Sequence, residues 1–378
     1  MCRKGGRPLL YVFSFFLLTT AEGNSQIDCL DGPALKLLMD VDTGVDDAMA
    51  LTLAATSPNV SIEAITVVAG NTNLSNAYNN TMRVLEQINR TDIPVYLGAD
   101  RPIDGFWDYE AIYFGEDNFG NAGGKYAMGN NPAQDPDKHG YLKMIEIIKN
   151  SSNDLTLMLL GPLTNLAIAL LVEPDLTENV SAIYILGGNI YGKGNIKPGS
   201  EFNFLTDPEA ALVVLQRALC PVYIVPWEAV LDATVPWDIY YNITNQTGQL
   251  QTFLRDITNH TVHCCLTESP GFSLGDWLAA LAAIVPGSVT KSLQSRVSVE
   301  LTGTHTRGQL VHGWMPYMLT EAAEQRIRMS HVTVLRRCAM DEAAGPSGLV
   351  DADSWARQNA QLRLTRQRER ASTDPDIV

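Results

Sequence analysis

Residues 38–50 read LMDVDTGVDDAMA and place four aspartates around one turn between a strand and a helix. A mostly apolar run ends in Asp40 and Asp42, and after a Thr-Gly turn Asp46 and Asp47 open an apolar helical pattern. Carboxylates packed this closely repel one another strongly at reduced dielectric. A hard cation removes that repulsion, and Ca²⁺, which binds about six to eight oxygen ligands, is the usual choice. The stretch therefore predicts a calcium site at the end of a buried strand.

Asp42 and Asp47 are the first candidates for metal ligands in this turn. One precedes the helix and the other lies in its first turn, where a carboxylate also interacts favourably with the helix dipole. Ordinary helix capping would explain one acidic residue there but not four. A phosphatase of the haloacid dehalogenase type also begins with a strand followed by Asp-x-Asp, but Gly44 replaces the Thr or Val that this pattern needs.

The composition argues against binding to nucleic acid. The chain has 378 residues, is 46% hydrophobic and has a formal net charge of −15. Binding to nucleic acid through phosphate neutralisation needs a basic face, which this balance of charge does not favour. The length allows one large hydrophobic core or two modest ones.

The N-terminal residues 1–23 are typical of a secretory signal peptide. Three basic residues precede a short apolar run, and small and polar residues follow it, a pattern too short for a comfortable membrane span. We expect a secreted glycoprotein that does not span the membrane, because Asn-x-Ser/Thr acceptor sites recur along the chain. These sites lie at Asn59, Asn73, Asn79, Asn89, Asn150, Asn179, Asn242, Asn245 and Asn259.

The cysteines are less informative than the acceptor sites. Removal of the signal peptide would leave five cysteines, so at least one would be a free or intermolecular thiol. The adjacent pair Cys264-Cys265 is not expected to bond to itself. The sequence has no Cys/His cluster with zinc spacing.

Apolar strand patterns alternate with helical patterns over most of the chain. The alternation predicts an α/β fold with a Rossmann-like open, mainly parallel sheet and helices on both faces. Predicted strands are 35–39, 62–68, 95–97, 155–160, 183–186 and 222–225; predicted helices are 45–56, 76–88, 142–149, 163–171 and 208–219. We expect one catalytic domain over residues 34–340 and a polar, weakly ordered tail over 344–378.

Polar residues follow the ends of several predicted strands. Asp42 and Asn71 come after the first two strands, and Gly-rich stretches follow the fourth and fifth. Because open parallel sheets bind ligands at the carboxyl ends of their strands, these residues are expected to meet at one edge.

Several motifs in register resemble the inosine–uridine-preferring nucleoside hydrolase family, from about Leu35 to about Val334. The acidic motif at 40–48 resembles the family signature, and further matches follow in the family's order. They are Val-Val-Ala-Gly-Asn at 67–71, Leu-Gly-Pro-Leu-Thr-Asn at 160–165, Leu-Gly-Gly at 186–188, Gly194-Asn195, Glu201-Phe-Asn203 and Gly275-Asp276.

The resemblance implies a role for each matching residue. The ligands of Ca²⁺ would be Asp42, Asp47, Asp276 and the backbone carbonyl of Leu160. The ribose hydroxyls would be held by Asp46, Asn71, Asn195, Glu201, Asn203 and Asp276, with Phe202 and Leu186 lining the sugar pocket.

The implied activity is hydrolysis of the N-glycosidic bond of small-molecule ribonucleosides by a secreted enzyme. This reaction passes through an oxocarbenium-like ribosyl cation, which carboxylates and amides around the ring can stabilise. Asp42 would take a proton from a water molecule that Ca²⁺ activates. The resemblance also makes a homodimer or homotetramer a possible assembly.

The sequence departs from the family pattern where the leaving base would be activated. Gly275 and Phe114 occupy the two positions at which family members commonly have His. Stacking by Phe114, Trp227 or Trp277, or an acid such as Glu116 or Asp117, could replace these histidines. Alternatively, the chain could be a catalytically weak or inactive nucleoside- or ribose-binding protein on the same fold.

Overall fold

The computed structural model describes residues 34–105, 113–133, 138–314 and 330–338. The predicted signal peptide and the predicted tail lie outside these residues. No helix within the described ranges is both long and apolar enough to cross a bilayer.

A nine-stranded sheet organises the described part of the chain, in the strand order β10-β9-β11-β6-β5-β4-β1-β2-β3. Strands β1 to β6 pair in parallel, β11 joins β6 in parallel, and β9 and β10 add an antiparallel edge. The strands are β1 (Leu35–Val41), β2 (Val60–Val67), β3 (Val95–Leu97), β4 (Leu155–Leu159), β5 (Val180–Leu186), β6 (Val222–Val225), β9 (Val289–Val299), β10 (Leu310–His312) and β11 (Ser330–Cys338). A separate two-stranded antiparallel sheet pairs β7 (Val235–Pro236) with β8 (Gly271–Phe272).

Helices cover both faces of the sheet. They are α1 (Val45–Thr56), α2 (Leu74–Gln87), α3 (Gly140–Asn150), α4 (Thr164–Val172), α5 (Phe202–Thr206), α6 (Pro208–Arg217), α7 (Trp227–Asp232), α8 (Trp237–Thr244), α9 (Gln249–Cys264) and α10 (Gly275–Ile284). One face is covered by α1, α2, α9 and α10, and the other by α3, α4 and α6.

The alternation of side chains along the central strand creates two hydrophobic cores. In β1, Leu37 and Met39 point into the core under α1 and α10, whereas Leu38 points into the core under α3, α4 and α6. Successive residues of a strand face opposite sides of the sheet, so a strand buried on both sides must be continuously apolar. This requirement explains why β1, β4 and β5 show no hydrophobic–polar alternation.

The observed fold confirms the predicted fold class. The bounds of α1, β3 and β6 are those predicted, and the other predicted elements are found with ends shifted by up to three residues. The parallel sheet was predicted, but the antiparallel edge of β9 and β10 and the helices from α7 to α10 were not assigned from the sequence. The domain limits of 34–340 stay a prediction.

The structure corrects the expectation about the adjacent cysteines. A disulfide joins Cys264 to Cys265 at the end of α9. Cys220 and Cys338 are buried free thiols, and Cys29 lies outside the described residues. The sequence argument was wrong because it treated the adjacent pair as geometrically incompatible with a bond.

Replacement of Leu37 by Ala tests the role of the central strand. Leu37 is 0% exposed, so Leu37→Ala should lower the free energy of unfolding by about 2–5 kcal/mol through lost burial and a residual cavity. Leu171→Ala is the control, because Leu171 in α4 is 47% exposed and should cost about 0.5 kcal/mol or less. Urea unfolding measures both values, and equal losses would contradict the assignment of β1 to the core.

Candidate active site

The turn between β1 and α1 brings the acidic residues of the opening motif together. The Asp47 carboxylate accepts the Gly44 N–H at 2.9 Å and the Asp42 N–H at 3.3 Å, so it holds the backbone that leads into the helix. Asp46 and Asp47 lie in the first turn of α1, where the free N–H groups favour negative charge. Local backbone geometry therefore explains part of the motif without a ligand.

A second helix start completes an acidic cluster at this edge of the sheet. Asp276, in the first turn of α10, has a carboxylate oxygen within 4.8 Å of oxygens of Asp46 and Asp47. The Asp276 backbone N–H also bonds to the Asp46 carboxylate. Asp42 interacts electrostatically with this trio and completes the acidic cluster, which we define as Asp42, Asp46, Asp47 and Asp276.

Burial of the acidic cluster opposes its ionisation. Desolvation, followed by the charge of a neighbouring carboxylate, raises the pKa of Asp42 and Asp276 well above the ordinary value. The same two causes raise the pKa of Asp46 to about 7, and desolvation raises that of Asp47. Oxygen Oδ1 of Asp42, of Asp46 and of Asp276 is buried without a hydrogen-bond partner in the described structure. Three unpartnered carboxylate oxygens in one cluster are a ligand set that fits a hard divalent cation.

Two glycines leave room for the Asp42 side chain. A Cβ atom on Gly70 would lie 2.1 Å from Asp42 Oδ2, and one on Gly161 would lie 3.0 Å from Asp42 Oδ1. The Asn71 backbone N–H donates to Asp42 Oδ2 at 2.6 Å, and its side-chain amide donates to Asp47 at 3.3 Å. The ends of β1, β2 and β4 thus enclose this carboxylate closely and fix its direction.

The family motifs after β4 and β5 meet beside the acidic cluster. The Asn203 side-chain amide donates to the Leu160 carbonyl at 2.7 Å and to the Leu186 carbonyl at 3.2 Å. The Leu186 side chain fills the space in front of Gly275, because a Cβ there would lie 2.9 Å from Leu186 Cδ2 and 3.5 Å from Asp46 Oδ2. Leu160 and Leu186, both predicted site residues, are therefore joined to the site through one amide.

Glu201 also has a structural function in this region. Its carboxylate accepts the backbone N–H groups of Asn203 at 2.9 Å, Gly188 at 2.8 Å and Phe204 at 3.1 Å, and it caps α5. Burial raises the pKa of Glu201 to about 7. A carboxylate offers about four lone-pair directions, so these three bonds leave it capacity for one further donor.

Two predicted sugar-binding residues lie outside this group of contacts. Asn195 is exposed on the segment between β5 and α5, where its backbone N–H bonds to the Ser200 carbonyl. Phe202 is half-buried at the first position of α5. Their roles toward a sugar stay predictions.

Two of the sequence-based candidates for activating a leaving base are in unsuitable positions. Trp277 is 2% exposed and packs in the core of the α1 and α10 face, so it has no open face for stacking. The Asp117 carboxylate accepts three backbone N–H groups, from Phe119, Asn121 and Gly123, at 2.7–2.8 Å, and therefore holds its own loop. Phe114 does reach the site, since its ring lies 3.0 Å from the position of a Cβ on Gly44.

Sequence reasoning missed Tyr113 and the role of Glu228. The Tyr113 ring contacts the Phe114 ring, and the Phe114 ring packs over Gly44 in the turn before α1, so Tyr113 lies at the rim of the acidic cluster. The Glu228 carboxylate accepts the N–H groups of Ile190, Tyr191 and Lys193 at 2.8–3.3 Å and holds the segment that follows β5. The position of Tyr113 next to Phe114 was the available signal, whereas nothing local to Glu228 indicates its distant partners.

The chain is similar to known proteins over most of its length. The family model described as "Inosine-uridine preferring nucleoside hydrolase" matches residues 37–344. The chain is 32% identical over 263 residues to "Probable uridine nucleosidase 2" of Arabidopsis thaliana, covering 68% of this chain and 80% of the relative. It is 32% identical over 286 residues to "Pyrimidine-specific ribonucleoside hydrolase RihA" of Escherichia coli, covering 74% and 88% respectively.

A solved structure agrees with the sequence comparisons. The described fold is similar to that of "Inosine-Guanosine Nucleoside Hydrolase (IG-NH)", with a TM-score of 0.72 and 31% sequence identity. The similarity covers 87% of this chain and 97% of the solved one. It therefore extends over nearly the whole of a nucleoside hydrolase fold.

The raised pKa values predict an unusual pH dependence of stability in metal-free protein. Because the pKa of Asp46 is about 7 in the folded state and 3.8 in the reference state, the folded state binds more protons between these values. The free energy of unfolding should therefore fall as the pH rises from about 4 to about 7, and lowering the pH should restore it.

Urea unfolding at about pH 5 and about pH 8 measures this effect. Asp46→Asn should reduce the difference, because it removes one buried ionising carboxyl, whereas the exposed Asp100→Asn should leave it unchanged. Higher stability at pH 8 than at pH 5 in metal-free protein would contradict the assigned pKa shifts.

Proposed function

The chain belongs to the inosine-uridine preferring nucleoside hydrolase family and is a ribonucleoside hydrolase, an N-glycosyl hydrolase; on this premise we propose that it is a secreted, Ca²⁺-dependent enzyme in which Asp42 is the general base. Its products would be the free base and ribose. The observation that supports the metal dependence is the acidic cluster, with its three buried and unpartnered carboxylate oxygens.

We assign the proposed Ca²⁺ ligands to Asp42, Asp47, Asp276 and the Leu160 carbonyl. The three carboxylate oxygens that lie within 4.8 Å of one another belong to Asp46, Asp47 and Asp276. Asp46 is therefore close enough to contact the same ion. A bound divalent cation supplies positive charge that lowers the pKa of these carboxyls and of a nearby water molecule. The proposal explains why four carboxyls are retained in a site where burial alone would disfavour them.

Asp42 is proposed to take a proton from the water molecule that attacks the anomeric carbon. The C–N bond breaks as the water oxygen bonds to that carbon, and the bonding electron pair leaves with the base. Gly70 and Gly161 confine the Asp42 carboxylate, and the Asn71 N–H fixes one of its oxygens. A carboxylate held in this way is already oriented for proton transfer before the substrate reacts.

The polar residues around the cluster are proposed to bind the ribose and to stabilise its oxocarbenium-like transition state. The proposed hydroxyl ligands are Asp46, Asn71, Asn195, Glu201, Asn203 and Asp276, with Leu186 and Phe202 against the ring. Interactions that strengthen as positive charge develops on the sugar accelerate the reaction, whereas uniform binding does not.

Secretion and glycosylation are part of the proposal. None of the nine acceptor asparagines is buried, and seven of them are exposed. Expression of the full chain in animal cells, followed by glycosidase treatment of the protein in the medium, tests this part. Retention inside the cells without any change in mobility would contradict it. Size-exclusion chromatography of the same material measures whether a homodimer or homotetramer forms.

A substrate panel tests the activity and its metal dependence. We expect the secreted protein to release free base and ribose from inosine, uridine or both, to lose at least about 100-fold in kcat after chelation, and to recover when Ca²⁺ is added. Because the relatives' names refer to uridine, pyrimidine and inosine–guanosine substrates, the panel must contain both base classes. Tight ribonucleoside binding without turnover of any substrate would instead identify a binding protein.

Asp42→Asn tests the assignment of the general base. The substitution keeps the shape of the side chain but removes the proton acceptor, so kcat should fall by about 100-fold or more while KM changes little. The exposed Asp100→Asn is the control and should behave as the wild type. Equal losses in kcat and in substrate binding would contradict the role of Asp42 as the general base.

A further inference from the structure

Among the described residues, neither position at which the family commonly has His offers a side-chain donor to the departing base. Gly275 has no side chain, and the space in front of it is filled by Leu186. Phe114 provides a ring but no hydrogen-bond donor. Within the described part of the chain, no histidine is among the main groups that shift the pKa values of the acidic cluster. A ribonucleoside hydrolase has to stabilise the electron pair that leaves with the base, and a hydrogen-bond donor near the base would do so.

Tyr113 is held at the rim of the acidic cluster by the end of α9. The Thr261 hydroxyl donates to the Tyr113 carbonyl at 3.1 Å, and the disulfide sulfurs of Cys264 and Cys265 lie 4.0 and 3.9 Å from the same oxygen. The Tyr113 ring meets the Phe114 ring edge-on, with 4.9 Å between the ring centroids. These contacts attach Tyr113 to a helix on one side and to a ring over the first turn of α1 on the other.

The hydroxyl of Tyr113 lies in the electrostatic field of Asp46. Burial and the Asp46 charge both raise the pKa of Tyr113, so the phenol keeps its proton at neutral pH. A protonated phenol is a hydrogen-bond donor, whereas an ionised carboxylate only accepts hydrogen bonds. The side chain as a whole is 36% exposed, so a ligand in the site can reach it.

Phe114 links Tyr113 to the turn that leads into the acidic cluster. The Phe114 ring lies 3.0 Å from the position of a Cβ on Gly44, and the Tyr113 ring contacts the Phe114 ring with 4.9 Å between the centroids. Tyr113 therefore brings a hydrogen-bond donor to the rim of the acidic cluster, beside Phe114. Asp117 cannot do so in the described structure, because its oxygens already accept three backbone N–H groups.

We propose that Tyr113 is a catalytic residue that donates a hydrogen bond from its hydroxyl to the nucleobase as the glycosidic bond breaks. This inference rests on the proposed function. The electron pair of the C–N bond moves to the base nitrogen, the hydroxyl hydrogen bond stabilises the negative charge on the base, and solvent supplies the final proton. Tyr113 itself is not consumed and keeps its proton. Thr261 is a positioning residue, because it acts only on the Tyr113 backbone.

Tyr113→Phe separates the hydroxyl from the ring. With inosine or uridine as substrate, kcat should fall by about 10- to 100-fold, the size expected for one hydrogen bond to a developing charge. With p-nitrophenyl β-D-ribofuranoside, whose leaving group is stable as an anion, kcat should stay within about twofold of the wild-type value. Tyr241→Phe, on α8 and 44% exposed, is the matched control and should change neither rate.

Thr261→Val tests the positioning role. It removes the hydroxyl that holds the Tyr113 carbonyl, so it should reduce nucleoside hydrolysis more than p-nitrophenyl riboside hydrolysis, and Thr261→Ser should restore the rate. A general loss of folding would reduce both reactions equally, and thermal unfolding of each variant is measured alongside.

Three results would overturn the role of Tyr113. They are an unchanged rate in Tyr113→Phe, an equal loss with both substrates, or a loss specific to nucleosides in His263→Ala but not in Tyr113→Phe. His263 is an exposed residue in the last turn of α9, the helix that holds Tyr113. In each of these cases the wild type would still hydrolyse nucleosides, so the proposed function would stand. A wild type that cleaves neither substrate would instead reject the proposed function, and the role of Tyr113 with it.

Discussion

The repulsion among four buried carboxyls is the constraint on which the rest of the structure depends. The acidic cluster forms where two helices, α1 and α10, begin at the same edge of the sheet, and their free N–H groups offset only part of the charge. Desolvation raises the pKa of every member. Such a cluster costs stability unless protons or a cation neutralise it, and its retention is therefore best explained by function.

Carboxylates elsewhere in the site region hold loops through backbone N–H groups. Glu201, Glu228, Asp117 and Asp207 each accept three hydrogen bonds, two or more of them from backbone amides. The connections at the carboxyl ends of the strands lack regular partners of their own, so these acids replace sheet and helix hydrogen bonds. Part of the excess of acidic residues therefore orders loops.

The two halves of the site consist of different types of residue. The proposed metal and sugar side consists of carboxylates and amides near strand ends, and next to it Asp40 accepts hydrogen bonds from Thr66 at 2.5 Å and Asn165 at 2.8 Å. The proposed base side consists of the aromatic pair Tyr113 and Phe114, and a hydrogen bond from Thr261 in α9 holds the Tyr113 backbone. Because the base side lies on a loop, its residues can change while the strand-end residues and the fold are kept.

The sequence by itself determined the parallel sheet, the positions of most elements up to β6 to within three residues, and the residues of the acidic motif, because hydrophobic periodicity and strand-end motifs are local signals. It did not reveal the antiparallel edge, the bond between Cys264 and Cys265, or the position of Tyr113 at the rim of the acidic cluster. These features depend on contacts between residues far apart in the chain, such as Thr261 with Tyr113, and no local pattern encodes them. Only the tertiary structure decided which acids face the common cluster and which hold loops, since identical carboxylates differ only in the donors that folding brings to them.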